Sequence, residues 1–262
     1  MDDPIARLQE LSRHWLDTRD AFRDVIETGP PQPGSAFAAD LGLVLAKEST
    51  LPQAAAMLNY AFDSADVLER MWHVPVHHVP SDYVLMRAMV DNAIRAIWLV
   101  DPDDQRERLT RAWRLARDAP MRSKARATVM LKEDPQRSIA DELKATAANA
   151  KTYIADLDAA FNKALGTLPT PRFLQAADFI AATERQPLHA GIDGGVARFW
   201  SQLSELVHGS IASTEYRMIA HPPEGHVRLT RANVDDIALA AGLVTRILDG
   251  ALDRFYARFD AS

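Results

Sequence analysis

A chain of 262 residues, 47% hydrophobic and 25% charged with a formal net charge of −6, carries enough apolar material to bury a core without staples. It contains no cysteine, which excludes a disulfide framework, a thiolate nucleophile and cysteine-ligated zinc or iron–sulfur centres, and fits a reducing, cytoplasmic setting. The opening MDDPIARLQELSRHW is acidic and amphipathic, unlike an export signal, and 24 arginines against 6 lysines with 43 alanines is the residue usage of a high-GC bacterial gene.

Apolar residues recur at three- and four-residue spacing along almost the whole chain, with glycine and proline between the periodic runs. Asp3-Pro4 opens the first predicted helix, 4–27, by placing a capping oxygen before a proline at the first helical position. The break Gly29-Pro30-Pro31-Gln32-Pro33-Gly34 ends it, and a helix over 36–47 follows. Thr50 with Gln53 resembles a capping box for a helix over 51–72. The stretch Val74-Pro75-Val76-His77-His78-Val79-Pro80 is a second break, after which Ser81 or Asp82 caps a helix over 82–100. That helix is apolar enough to suggest a membrane span, but Arg87, Asp91, Asn92 and Arg95 interrupt its middle, so it reads as a core helix with no membrane partner. Asp101-Pro102 opens 102–118, a further helix runs over 121–132, Asp134-Pro135 opens 135–165, and Thr170-Pro171 opens 171–185. Helices over 195–213 and, capped by Thr230, over 231–259 complete the chain. Between them, residues 216–229 hold a Pro-Pro-Glu-Gly turn flanked by short alternating runs, which suggests a small β-hairpin. The expected fold is all-α: a compact multi-helix bundle of about ten helices, in one domain over 1–262 with an N-terminal helical subdomain over 1–73.

Two helices carry polar groups that could do chemistry. Arg87, Asp91 and Arg95 stand at i, i+4 and i+8, one stripe of an otherwise apolar helix. Buried charge is costly unless paired, so the stripe either forms an Arg–Asp–Arg ladder or lines a cavity beside Asn92. In the helix over 195–213 the apolar face is Phe199, Trp200, Leu203, Leu206 and Val207. Arg198, Ser201, Glu205 and His208 share a sector of roughly 100° on the other side by the 3.6-residue period, with Ser204 beside His208. A histidine near a carboxylate and hydroxyls suits general acid–base work, although a histidine at such an edge also serves as an ordinary structural hydrogen-bonder.

The pair formed by RAMVDNAIR, residues 87–95, and LSELVHGS, residues 203–210, resembles uncharacterised bacterial helical families related to the HEPN group. The resemblance covers about two helices of the ten, and the active members of the group are RNases. It implies a cleavage site built from an arginine and a histidine a few residues apart on one helix, duplicated in a homodimer. Here Arg198 and His208 have nine residues between them, so only His208 has a counterpart and the standard site is not carried over.

Residues 105–126 are net +6, eight cations against Glu107 and Asp118, on a chain that is −6 overall. Arg106, Arg108, Arg111, Arg114 and Arg117 could therefore meet a nucleic-acid backbone or pack on acidic helices. Trp113 is the only aromatic among them, and the five Trp residues read as core. No metal or cofactor is expected. Glu205 and His208 form a single Glu-x-x-His unit where a di-iron bundle needs two, Glu69 and His73 have only i, i+4 spacing, and His77 and His78 fall in a break. No phosphate loop, dinucleotide fingerprint, nucleophile elbow or zinc helix is present. The residues leave two functions open. One is a non-enzymatic binding or regulatory protein. The other is an enzyme, RNase-like or acting on a small molecule, with His208, Glu205, Ser204 and Asp91 as catalytic groups and Arg87, Asn92, Arg95 and Arg198 binding.

Overall fold

A computed structural model describes residues 3–43, 48–73, 79–134, 138–184, 195–207 and 231–260. The protein is all-α. Its helices are α1 (Pro4–Thr28), α2 (Ala36–Leu41), α3 (Thr50–Trp72), α4 (Val79–Val100), α5 (Gln105–Glu133), α6 (Ala140–Leu165), α7 (Ala176–Thr183), α8 (Gly195–Val207) and α9 (Arg231–Phe259). Among the described residues there is no strand, and no helix is long and apolar enough to cross a membrane. The hairpin expected over 216–229 and residues 74–78 of the break expected over 74–80 lie outside the described residues, while Val79 and Pro80 already belong to α4, which therefore starts before Ser81 and Asp82.

Several helix boundaries differ from the sequence expectation, and side-chain bonds explain the difference. Asp3 caps α1 as expected, its carboxylate accepting from the Ile5 N–H at 3.1 Å. Asp101-Pro102 does not open α5, because Arg108 Nη1 donates to the carbonyls of Pro102 (3.0 Å) and Asp103 (2.6 Å) and holds that stretch out of the helix. Asp104 caps instead, accepting from Glu107 N–H at 2.7 Å. Thr170-Pro171 likewise fails to start α7. The Leu174 N–H donates to Asp118 (3.0 Å) and its carbonyl accepts from Arg122 (2.6 Å), so the chain turns helical only at Ala176. Asp134 ends α5, and α6 begins at Ala140. Thr50 is the first residue of α3 and donates its hydroxyl to Asp40, while Gln53 donates to the Glu48 and Ala112 carbonyls, so the capping box does not form.

The expected helices 102–118 and 121–132 are one continuous helix, α5, with Pro120 inside it. Proline there leaves the Ala116 carbonyl without its N–H partner, and the helix runs on because both halves lie along α6. Pro120→Ala is expected to raise stability by about 1–3 kcal/mol, since a helix-interior proline costs ~3 kcal/mol relative to alanine. Thermal melting followed by circular dichroism checks this, and an unchanged or lowered Tm would count against it.

Unit 1 comprises 1–30, 55–97 and 179–256; unit 2 comprises 31–54, 98–178 and 257–262. In unit 1, the fully buried Phe22 of α1 meets Phe62 of α3 at 5.7 Å and Phe255 of α9 at 5.2 Å between ring centroids, and Trp15 lies 5.5 Å from Trp72. The Trp15 indole N–H, buried with its ring, donates to the Thr245 hydroxyl at 2.8 Å. Arg19 pairs with Asp66, tying α1 to α3.

Unit 2 is built on the α5–α6 hairpin, with α2 against α5. Leu109, Ala112 and Trp113 of α5 and Ile154, Leu157 and Phe161 of α6 are among its buried residues. Guanidiniums take up the orphan carbonyls that every helix end leaves. Arg106 donates to Leu165 and Thr167 at the end of α6, where Gly166 adopts φ 78°, and Arg111 and Arg258 donate to Trp98 and Val100 at the end of α4.

Candidate functional site

Helix α4 turns Met86, Met89, Val90, Ala93, Ile94 and Ile97 into the core of unit 1, each at most 1% exposed. Arg87, Asp91 and Arg95 lie on another stripe, whereas Asp82 in the first turn is fully buried. Helix α8 buries Val196, Phe199 and Leu203, and that anchoring brings Trp200 onto Arg87. The guanidinium carbon lies 3.6 Å from the indole centroid. Arg87 Nε donates to Asp91 Oδ2 at 3.0 Å, Arg87 Nη1 donates to the Trp200 carbonyl at 3.1 Å, and the Trp200 indole N–H donates to Asp91 Oδ1 at 2.7 Å. Three residues from two helices thus form a closed ring of charge-assisted bonds over an aromatic plate. Hydrogen bonds to charged groups contribute about 1.5–3 kcal/mol and a partly desolvated cation–π contact about 1–2 kcal/mol, so the ring is an interhelical clamp.

The expected Arg–Asp–Arg ladder stops at two members. Both Asp91 oxygens are taken by Arg87 and Trp200, and Arg95 is exposed, its guanidinium 5.1 Å from the Phe179 ring centroid. Asn92 turns back on its own helix, donating to the Ala88 carbonyl at 2.9 Å. On α8, Arg198, Ser201 and Glu205 are exposed and Ser204 is half-buried. His208 lies outside the described residues, as do His77 and His78. The remaining histidine of that cluster, His73, bonds through Nδ1 to the Glu69 carbonyl at 2.9 Å, with the Glu69 carboxylate 3.3 Å away. Among the described residues no group of three or more potential ligands is placed to hold a metal ion.

Trp200 is the residue that periodicity misassigns. It falls on the apolar side of α8, yet its N–H and carbonyl complete the clamp. The signal available was chemical: a half-buried indole needs an acceptor for its N–H. The same device recurs in unit 2, where the Trp113 indole donates to Asp158 at 2.7 Å, Arg117 Nε pairs with the same carboxylate at 3.2 Å, and the Arg117 guanidinium lies 5.3 Å from the Trp113 ring. There it ties α5 to α6.

The basic segment is largely engaged with the protein's own acceptors. Arg108 is 3% exposed and forms a two-pronged bond with the fully buried Asp40, Nε to Oδ2 and Nη2 to Oδ1, both 3.0 Å; Thr50 adds a hydroxyl to Oδ2 at 2.8 Å. Arg111 pairs with Glu107 at 2.9 Å and Arg122 with Asp118 at 2.7 Å. No family model, curated protein or solved structure matches the chain. Its chemistry must therefore be read from its own residues.

Electrostatics elsewhere follow the same pattern of internal pairing. The Tyr153 hydroxyl donates to Glu48 at 2.6 Å, and burial beside that carboxylate pushes its ionisation well above the usual phenol range. The Arg172 guanidinium bonds both oxygens of Asp178, at 2.8 and 2.5 Å, and holds that carboxyl below its ordinary value; Asp178 also accepts from the Gln175 N–H at the start of α7.

Proposed function

We propose that the protein is a non-enzymatic helical binding or regulatory protein of the cytosol. One observation carries the reading: Arg87 and Asp91, two of the three charged residues of the α4 stripe, are bonded to each other and to Trp200. Each Asp91 oxygen already accepts a bond, and one face of the Arg87 guanidinium is covered by the indole. An acid–base role for Asp91 would compete with the two bonds it already accepts, and an anion at Arg87 would have to share the guanidinium with Asp91 and the Trp200 carbonyl. The matching arrangement of Trp113, Arg117 and Asp158 in unit 2, where nothing suggests a reaction, supports a structural use of the motif.

The competing reading is an RNase of the HEPN type relying on His208. Incubating the purified protein and its His208→Ala variant with mixed-sequence RNA separates the two. The expected result is that neither cleaves above the buffer control. Cleavage by the native chain that disappears in the variant would overturn the proposal.

A further inference from the structure

The α5–α6 hairpin changes character along its length. Between Met121 and Asn149 only Ala127 and Ala140 are buried among the described residues, whereas Leu109, Trp113, Ile154 and Phe161 nearer its base are buried completely or nearly so. Arg122, at the start of the distal part, still reaches the Leu174 carbonyl at 2.6 Å; beyond it, the bonds from Thr128 to the Lys124 carbonyl and from Lys144 to Asp141 stay within their own helices. Beyond Arg122, the distal half is therefore largely exposed among the described residues. Met130 and Leu131 of α5 and Leu143 and Ala147 of α6 continue the seam marked by Ala127, Ala140 and Ala150, yet all four remain half-exposed. Val129 is 53% exposed and Ile139 is 38% exposed. A two-helix pair buries one stripe per helix; a second pair is what closes such a seam into a four-helix core.

Charge identifies the occupant. The shaft of the hairpin, 121–132 and 143–152, carries Arg122, Lys124, Arg126, Lys132, Lys144 and Lys151 and no acid. The tip, 133–142, carries Glu133, Asp134, Asp141 and Glu142 against Arg137 alone. From Arg122 to Glu133 is a rise of about 16 Å at 1.5 Å per residue. A copy turned end for end about a two-fold axis sets each acidic tip against the other's basic shaft, the self-complementarity that an isologous interface demands. A polyanion would match the shaft but be repelled by the tip, and would leave the apolar seam wet.

We propose that the distal α5–α6 hairpin is a homodimerisation arm that pairs antiparallel with the same arm of a second copy. The arm belongs to unit 2 and operates whether or not α4 and α8 carry a site.

Sedimentation equilibrium of the full chain tests this with two charge-reversed variants, Lys124→Glu/Arg126→Glu in the shaft and Glu133→Lys/Glu142→Lys at the tip. All four positions are exposed, and circular dichroism verifies that helicity is retained. The native chain is expected to be a dimer whose association weakens between about 50 mM and about 500 mM salt as charges are screened. Each variant alone loses at least about tenfold in association, and an equimolar mixture of the two restores it, because reversed shaft then meets reversed tip. A native chain that remains monomeric overturns the proposal, as do variants that dimerise as well as the native chain or a mixture that stays monomeric. Monomers that bind a single-stranded RNA oligonucleotide through Lys124 and Arg126 would assign the arm to nucleic acid instead.

Discussion

Asp40→Ala is expected to destabilise the protein by about 3–5 kcal/mol, the cost of leaving one member of a buried ion pair uncompensated. Arg108 would keep its charge at 3% exposure with two of its N–H donors facing a void, and Thr50 would lose its acceptor. Since a domain's whole stability is about 5–15 kcal/mol, this single change brings unit 2 close to unfolding. Urea unfolding followed by circular dichroism measures it through the midpoint at constant slope. Removing both charges tells a different story: Asp40→Leu with Arg108→Met is expected to be far milder than Asp40→Ala, because no charge is stranded. A loss below about 1 kcal/mol for Asp40→Ala would mean that water reaches Arg108.

Asp91→Ala has the next largest expected effect, about 2 kcal/mol. It unpairs the Arg87 Nε–H and the Trp200 indole N–H together, and each donor left without a partner costs about 1–3 kcal/mol, discounted because Asp91 is 35% exposed at its side chain. Asp91→Asn should cost less, since its amide oxygen still accepts from the indole. The loss should appear in the unfolding of unit 1, where α4 and α8 both lie. If Asp91→Ala leaves the urea midpoint unchanged, the ring of bonds around Arg87 is not holding α8 in place.

Helix identity could be read from periodicity because an amphipathic stripe is a property of neighbouring residues alone. A helix start could be read from its cap where the capping group was local. Asp3 caps its own helix, and Pro4 follows it. Asp101-Pro102 and Thr170-Pro171 present the same local pattern, but Arg108 and the Asp118–Arg122 pair capture the backbone there, the latter from some fifty residues away. Pro120 misled in the opposite sense: intrinsic propensity favoured two helices, and packing along α6 made one.

The polar residues show the same limit. The stripe Arg87, Asp91 and Arg95 was visible as spacing, while its partner was not, since Trp200 arrives from 109 residues beyond Asp91. Segment 105–126 was visible as a charge excess, and its arginines are arranged by acceptors spread over the chain: Asp40, Trp98, Asp158, Leu165 and Leu174. Counting charges cannot distinguish a guanidinium that caps a helix from one that waits for a phosphate. The preference for arginine over lysine has a physical reading here, because a planar fork can serve two carbonyls or both oxygens of a carboxylate at once.

A double-mutant cycle on Asp91→Ala and Trp200→Phe is the most direct measurement of whether the α4–α8 residues are a clamp. Phenylalanine keeps an aromatic plate for Arg87 and removes only the N–H that Asp91 accepts. The clamp predicts that the two losses of stability are coupled by about 1 kcal/mol or more, within the range for residues in one hydrogen-bonded network. Losses that simply add, to within about 0.3–0.5 kcal/mol, would show that Asp91 and Trp200 do not hold each other, and the case for a purely structural α4–α8 pair would fail.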